Sequence, residues 1–214
     1  MPRPVLYDYW RSSAAYRVRI ALNLKGVDYE SRKVDLVTSE QKGDAYRALN
    51  PAGLVPMLDI DKHRLTQSLA IINYLDVRYP HPPLLPTPAA DRAAVVALAM
   101  TVACDIHPLN NLRVLKYLKN ELGQEQPAID AWYAHWIVEG LTALEAMARP
   151  HAGKFLWGNG PTAADVCLVP QLYNARRYNV ALDAYPTLLR ADENANKLDA
   201  FAAAHPDKQE QPAA

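Results

Sequence analysis

Val5-Leu-Tyr-Asp-Tyr9, followed after Trp10 by Arg11-Ser-Ser-Ala-Ala-Tyr-Arg-Val-Arg-Ile-Ala-Leu22, is the stretch that decides the fold. Four of its first five residues carry branched apolar or aromatic side chains, and the five read as a short strand. From Ser12 and Ser13 onward the period changes, with Ala15, Val18, Ala21 and Leu22 on one helical face and Gly26 just past the last turn. A strand that runs almost directly into a helix opens a mixed α/β unit.

Working outward, Tyr29 to Leu36 alternates as a second strand, and a polar helical stretch from Glu40 to Leu49 stops at Asn50-Pro51. Val55 to Ile60 and Arg64 to Gln67, joined through Asp61-Lys62-His63, pair as an antiparallel hairpin. Ser68 then caps a helix with Ile71, Ile72 and Leu75 inward. The order β-α-β-α-β-β-α needs a crossover between its parallel strands and only a turn for the last pair. Between Pro80 and Pro88 five of nine residues are proline, a stiff linker that marks a domain boundary. Beyond it the spacing is helical throughout: Asp91 to Leu122, Pro127 to Ala148, Thr162 to Tyr178 and Pro186 to His205, followed by a polar tail. The expected organisation is an α/β domain over residues 1–80, a proline-rich linker over 81–90 and an all-helical domain over 91–214.

Composition narrows the function. The chain has 214 residues, half of them hydrophobic, and a chain of this length buries about 70–75% of its unfolded surface without help from disulfides or metal. Basic and acidic residues number 23 each, and residues 1–80 and 81–214 carry only +3 and −3, so no field draws a polyanion and nucleic acid is not the expected partner. Cys104 and Cys167 stand far apart and outside any C-x-x-C spacing, which argues against a metal site, a disulfide scaffold or dithiol redox chemistry. A reducing, cytoplasmic setting is the default. The N-terminus lacks an apolar signal core, and the longest apolar stretch, Ala93 to Cys104, falls short of the ~20 residues that span a bilayer. No membrane partner is expected.

Four local features could carry chemistry. Ser12-Ser13 stands where a strand becomes a helix, so hydroxyls and free N–H groups there can hold an anion or stabilise a thiolate; read alone, the pair is first an ordinary cap. Val55-Pro56 opens an apparent strand, where a cis bond would turn the preceding backbone outward toward an extended ligand. Gln67-Ser68 opens another helix, again as a cap or an anion site. Arg176-Arg177, late in a helix rich in small and apolar residues, reads either as a carboxylate clamp or as dipole partners at a helix end.

Together these features resemble the glutathione transferases, in which a thioredoxin-like domain is joined to a helical bundle, and the likeness spans nearly the whole chain. Arg11 to Leu22 resembles the zeta-class signature, and Ala48-Leu-Asn-Pro51, Gln67-Ser-Leu-Ala-Ile71 and Leu168-Val-Pro-Gln171 point to the same class. The resemblance implies glutathione as cofactor and cis–trans isomerisation of a dicarboxylate alkene, maleylacetoacetate. Maleylpyruvate isomerisation, general glutathione transfer and a non-enzymatic interaction module stand as alternatives. It implies a thiol site at Ser12, Ser13 and the helix start through Ala14, Ala15, Tyr16 and Arg17, and a backbone partner for the cysteinyl part of the tripeptide at Val55. Gln67 and Ser68 would meet the γ-glutamyl carboxylate, and Gln41, His107, Asn111, Leu112 and Arg113 would make further cofactor contacts. Arg11 and Arg177, with Arg176 as substitute, are the candidates for substrate carboxylates, because a guanidinium fork matches a carboxylate. The family signature commonly has Cys after the two serines, where this chain has Ala14. Thr162-x-x-Asp165 resembles a structural capping box, and a homodimer is implied.

Overall fold

The protein is described here from a computed structural model, over residues 2–210. Two compact units emerge, one formed by the chain up to Pro83 together with the segment from Lys197 onward, the other by Leu84–Asn196.

In the first unit, β1 (Val5–Asp8) leads into α1 (Ser13–Leu24), β2 (Glu30–Lys33), a 3-10 turn at Glu40–Lys42, α2 (Asp44–Arg47), β3 (Met57–Ile60), β4 (His63–Thr66) and α3 (Ser68–Arg78). The sheet order is β2-β1-β3-β4; β1 and β2 are parallel and the other pairs antiparallel. Leu6, Tyr7 and Asp8 of the inner strand β1 are buried, whereas all four residues of the edge strand β2 are exposed and three are charged, which discourages further pairing. On α1, Ala15, Tyr16, Val18, Ile20, Ala21 and Leu22 pack into the core.

Several element ends differ from the sequence expectation, each for a local reason. The second strand stops at Lys33 rather than Leu36, because the Asp35 carboxylate accepts from the N–H groups of Val37 and Thr38 at 2.7 and 3.4 Å and turns the chain. The expected helix from Glu40 to Leu49 is split at Gly43, whose extended backbone caps α2. The first hairpin strand begins two residues later than expected and the second is shifted one residue toward the turn, which places Asp61 and Lys62 at φ 50° and 67°, the left-handed pair that a tight hairpin requires. Ser68 is the first residue of α3; Gln67, at φ 67°, holds the capping position.

The larger departure is at the C-terminus. The sequence reads as one helix from Pro186 to His205, but α8 (Pro186–Asn196) and α9 (Asp199–Ala204) are separated by an extended Leu198. α9 packs on α1, with Arg19 Nε donating to the Ala204 carbonyl at 3.0 Å and Asn23 Nδ2 to the Ala200 carbonyl at 2.9 Å. These bonds draw the chain from Lys197 into the first unit, so the second unit ends before the expected limit at 214; residues 211–214 of that expectation lie outside the described residues. Within the expected linker, Leu84 and Leu85 are buried and belong to the second unit.

The second unit is helical: α4 (Ala89–Met100), α5 (Leu112–Asn120), α6 (Gln126–Ala148), α7 (Ala163–Arg177) and α8. The helix expected from Asp91 to Leu122 is interrupted by a π-helical stretch at Thr101–Ile106 and a 3-10 turn at His107–Asn110. Asn110 Nδ2 and Trp132 Nε1 clamp that turn to α6, donating to Tyr133 O at 2.9 Å in one case and accepted by Leu109 O at 2.8 Å in the other. α7 runs through the unit's interior; residues 163–172 are all buried. Among the described residues, no helix is long and apolar enough to cross a membrane.

Candidate active site

The start of α1 is built around Ser12. Its N–H donates to Tyr9 O at 2.8 Å, its carbonyl accepts from Tyr16 N at 2.8 Å, and its Oγ accepts from Ala15 N at 3.3 Å. This is a working N-cap, yet it uses only a lone pair of the hydroxyl, and the O–H remains a donor toward an anion at the helix end. Ser13, the first helical residue, is buried and Ser12 half-buried.

Beneath this turn lies a charged cluster. Arg19, fully buried, sends Nη1 to both carboxylate oxygens of Asp8 at 2.7 and 2.8 Å and Nη2 to Trp10 O at 2.9 Å. Burial pushes the Asp8 carboxyl above its ordinary pKa, and the Arg19 charge pulls against that rise. The cluster joins β1, α1 and the loop between them. Arg11 projects from that loop, exposed, with its guanidinium 5.0 Å from the Trp10 ring centroid.

A second helix start is tied to the first. Arg17, 1% exposed, donates from Nη1 to Ser68 Oγ at 3.3 Å, so the first residue of α3 is bonded to the second turn of α1. Gln67 is exposed beside it. Gln41 is buried, its Oε1 without a hydrogen-bond partner among the described residues. Gly53, at φ 60°, lets the chain pass so close that a Cβ would lie 2.8 Å from Gln41 O. Asn50, from the Ala48-Leu-Asn-Pro51 motif, fixes the next turn by donating to Leu54 O at 2.7 Å, a carbonyl that also accepts from Tyr46 Oη at 2.8 Å. Val55 follows, its side chain packed against Tyr7, Val34, Tyr46 and Met57, and its own N–H and C=O have no partner among the described residues. The Val55–Pro56 bond is cis.

In the second unit, His107 opens the 3-10 turn and is half-buried. Asn111 caps α5, its Oδ1 accepting from Arg113 N at 3.1 Å, while Leu112 and Arg113 are exposed in the first turn. The two arginines at the end of α7 are not equivalent. Arg176 Nη2 is paired with Asp192 Oδ2 at 2.6 Å, and that carboxylate is buried. Arg177 is exposed, donates from Nη1 to Asn174 Oδ1 at 3.3 Å and lies 5.7 Å from the centroid of Tyr178. At the other end of α7 the expected capping box is formed: Asp165 Oδ2 accepts from Thr162 N at 2.8 Å and from its Oγ1 at 2.9 Å, and Oδ1 accepts from Leu156 N at 2.8 Å.

Residues 4–77 match the family Glutathione S-transferase, N-terminal domain. A maleylacetoacetate isomerase of Rhizobium meliloti is 51% identical over 205 residues, covering 95% of this chain and 96% of its own length. The holo structure of a maleyl pyruvate isomerase, a bacterial zeta-class glutathione S-transferase, superposes with a TM-score of 0.95 at 47% identity, covering 98% of this chain and all of the other. The chain belongs to the zeta class of the glutathione transferases.

The glutathione transferase match runs from the entry to β1 to the last turn of α3 and takes in every cofactor candidate of the first unit. Among zeta-class and related structures, a maleylacetoacetate isomerase of Anaeromyxobacter dehalogenans has glutathione bound in its active site (47% identity, TM-score 0.87, 96% of each chain). A second structure of that protein holds dicarboxyethyl glutathione and citrate (46% identity, TM-score 0.87, 96% of this chain and 95% of the other). Sequence reasoning had singled out the two helix starts of this glutathione transferase, because cap residues mark them. It missed the residues that support them. Asp8 sits in a strand read as apolar and Arg19 in a helix read by its apolar face.

Proposed function

We propose that the protein is a glutathione-dependent cis–trans isomerase that converts maleylacetoacetate to fumarylacetoacetate in aromatic amino acid catabolism. The observation that carries this reading is the pair of tied helix starts, with the Ser12 hydroxyl at one and Ser68, bonded by Arg17, at the other. The named relatives supply the reaction. Fit to the tripeptide is supported by the unpartnered backbone groups of Val55 and by the buried, unpartnered Oε1 of Gln41.

When bound, glutathione supplies a nucleophilic thiolate whose reversible addition makes the double bond temporarily single, so that it can turn. The chain's own residues have three tasks. Ser12 donates its hydroxyl proton toward sulfur, and with the N-terminus of α1 it favours the thiolate of a thiol whose ordinary pKa is ~8.5. Ser13 through Arg17 complete that end, Val55 pairs with the tripeptide backbone, and Gln67 and Ser68 hold the γ-glutamyl carboxylate at the start of α3. Gln41, His107, Asn111, Leu112 and Arg113 add further contacts. Ala14 puts a methyl group where the signature commonly has a thiol, so the reacting sulfur is the cofactor's. Arg177, with no carboxylate partner among the described residues, and Arg11 hold the substrate's carboxylates; Arg176 is already committed to Asp192. Positive charge there also stabilises the negative charge that develops along the conjugated carbonyls.

The dicarboxyethyl glutathione held by the Anaeromyxobacter relative supports this chemistry, since it joins the tripeptide to a chain with two carboxylates. Maleylpyruvate is the second reading, favoured by the likeness to the maleyl pyruvate isomerase structure. A homodimer is part of the proposal, supported by the exposed Met100, Val138 and Met147 of the second unit, and so is a cytoplasmic setting, supported by two free cysteines. Turnover of the two maleyl substrates, each with and without glutathione, tests the reading. Activity that is indifferent to glutathione would overturn it.

A further inference from the structure

We infer that Tyr178, backed by Tyr133, is a positioning residue for Arg177, holding its guanidinium in a fixed attitude toward a substrate carboxylate. The inference rests on the role given to Arg177 above. An exposed arginine samples many rotamers, and each must be given up when a carboxylate is clamped bidentately. Arg176 is held by the buried carboxylate of Asp192, but a carboxylate beside Arg177 would compete with the substrate. Arg177 is restrained by neutral groups instead. Asn174, one turn earlier on α7 and buried, accepts from Nη1 at 3.3 Å, and the Tyr178 ring lies under the guanidinium carbon at 5.7 Å. Neither contact cancels the charge.

The ring of Tyr178 is itself fixed. It stacks on Tyr133 with centroids 3.5 Å apart and planes inclined by 12°. Its backbone closes α7, with the N–H bonded to the carbonyls of Asn174 and Ala175 at 3.3 and 3.2 Å. Tyr133 is 2% exposed on α6, and its carbonyl is held by Asn110 Nδ2. Burial, then the neighbouring Tyr178, pushes the Tyr133 phenol above its ordinary pKa, so the ring of Tyr133 stays neutral at physiological pH. Swinging Tyr178 away means breaking the stack, and the guanidinium has a firm floor.

The test is a double-mutant cycle between Tyr178→Leu and Arg177→Ala, with Tyr178→Phe as the conservative variant and Tyr178→Met as a longer, more adaptable replacement should the Leu protein fail to fold. Two quantities are read with glutathione saturating: kcat/KM for the maleyl substrate, and the affinity for succinate by calorimetry, a four-carbon dicarboxylate that does not react. Tyr178→Leu is expected to lower both about three- to tenfold, with glutathione affinity unchanged, and Tyr178→Phe to stay within about twofold of the parent. In the Arg177→Ala background the Leu substitution should have no further effect. A loss of the same size with or without Arg177 would show a merely structural role and overturn the inference, as would a large loss in Arg177→Ala with none in Tyr178→Leu. If Arg177→Ala itself turns over normally, the role given to Arg177 fails first, and this inference with it.

Discussion

At Ser12 one oxygen serves both the fold and the site, and the two roles can be separated. Ser12→Ala removes a cap worth about 0.5–2 kcal/mol, and it should also raise the pKa of bound glutathione's thiol, read by ultraviolet titration of the thiolate. Ser13→Ala, which leaves the cap intact, is expected to change stability less; an unaltered thiolate titration in both variants would remove the assignment. Arg177→Ala should lower kcat/KM by about one to two orders of magnitude while glutathione affinity by calorimetry is kept, since charge-assisted hydrogen bonds contribute roughly 1.5–3 kcal/mol. Arg177→Lys should recover only part, having charge without the planar fork. Arg176→Ala should instead keep turnover and lower the melting temperature, because it removes the guanidinium that faces the buried carboxylate of Asp192. Sequence alone could not rank these neighbouring arginines: what separates them is a carboxylate sixteen positions along the chain. Arg17 was legible as part of a signature, but its bond to Ser68, across 51 positions, was not.

Among the elements, those with strong local signals were readable. Ser12 before an alternating-to-helical switch, and Thr162 with Asp165 three residues on, mark helix starts through the groups that satisfy their N–H donors. Ends set by side-chain turns, such as Asp35 closing β2, were missed because a single aspartate is compatible with several local structures. The π-helical and 3-10 stretch between α4 and α5 was hidden too, since its apolar spacing continues that of a helix and only the clamp to α6 reveals it. The α7 cap carries a pH signature. Burial is the larger effect on Asp165 and pushes its pKa up to about 6, against the hydrogen bonds from Leu156 and Thr162 that lower it. The unfolded value is near 3.9, so between about pH 4 and 6 the native state holds more protons, and stability falls as pH rises through that window. The loss amounts to roughly 2–3 kcal/mol and is complete above it. Asp165→Asn lacks this titration, and the gap in unfolding free energy between parent and variant should narrow from pH 4 to 6.5 in denaturant titrations. A constant gap would contradict the assignment.

On the scale of the whole molecule, the change from mixed α/β spacing to helical spacing across the proline-rich stretch was visible in the sequence. The return of α9 to the first unit was not, because the partners of Ala200 and Ala204 lie 177 and 185 positions away and neither side chain advertises a bond made by its carbonyl. A dimer is expected to appear as a solution mass of twice 23.8 kDa by light scattering; a single-chain mass at all concentrations would exclude it. Everything proposed for the site depends on glutathione being required and returned. The most direct measurement follows conversion of maleylacetoacetate by thiol-free enzyme, first alone and then with a substoichiometric amount of glutathione, while the free glutathione is assayed throughout. No conversion without glutathione, many turnovers per glutathione molecule added and an unchanged final glutathione concentration are the expected result. Turnover in the thiol-free buffer, or glutathione consumed in proportion to product, would contradict it.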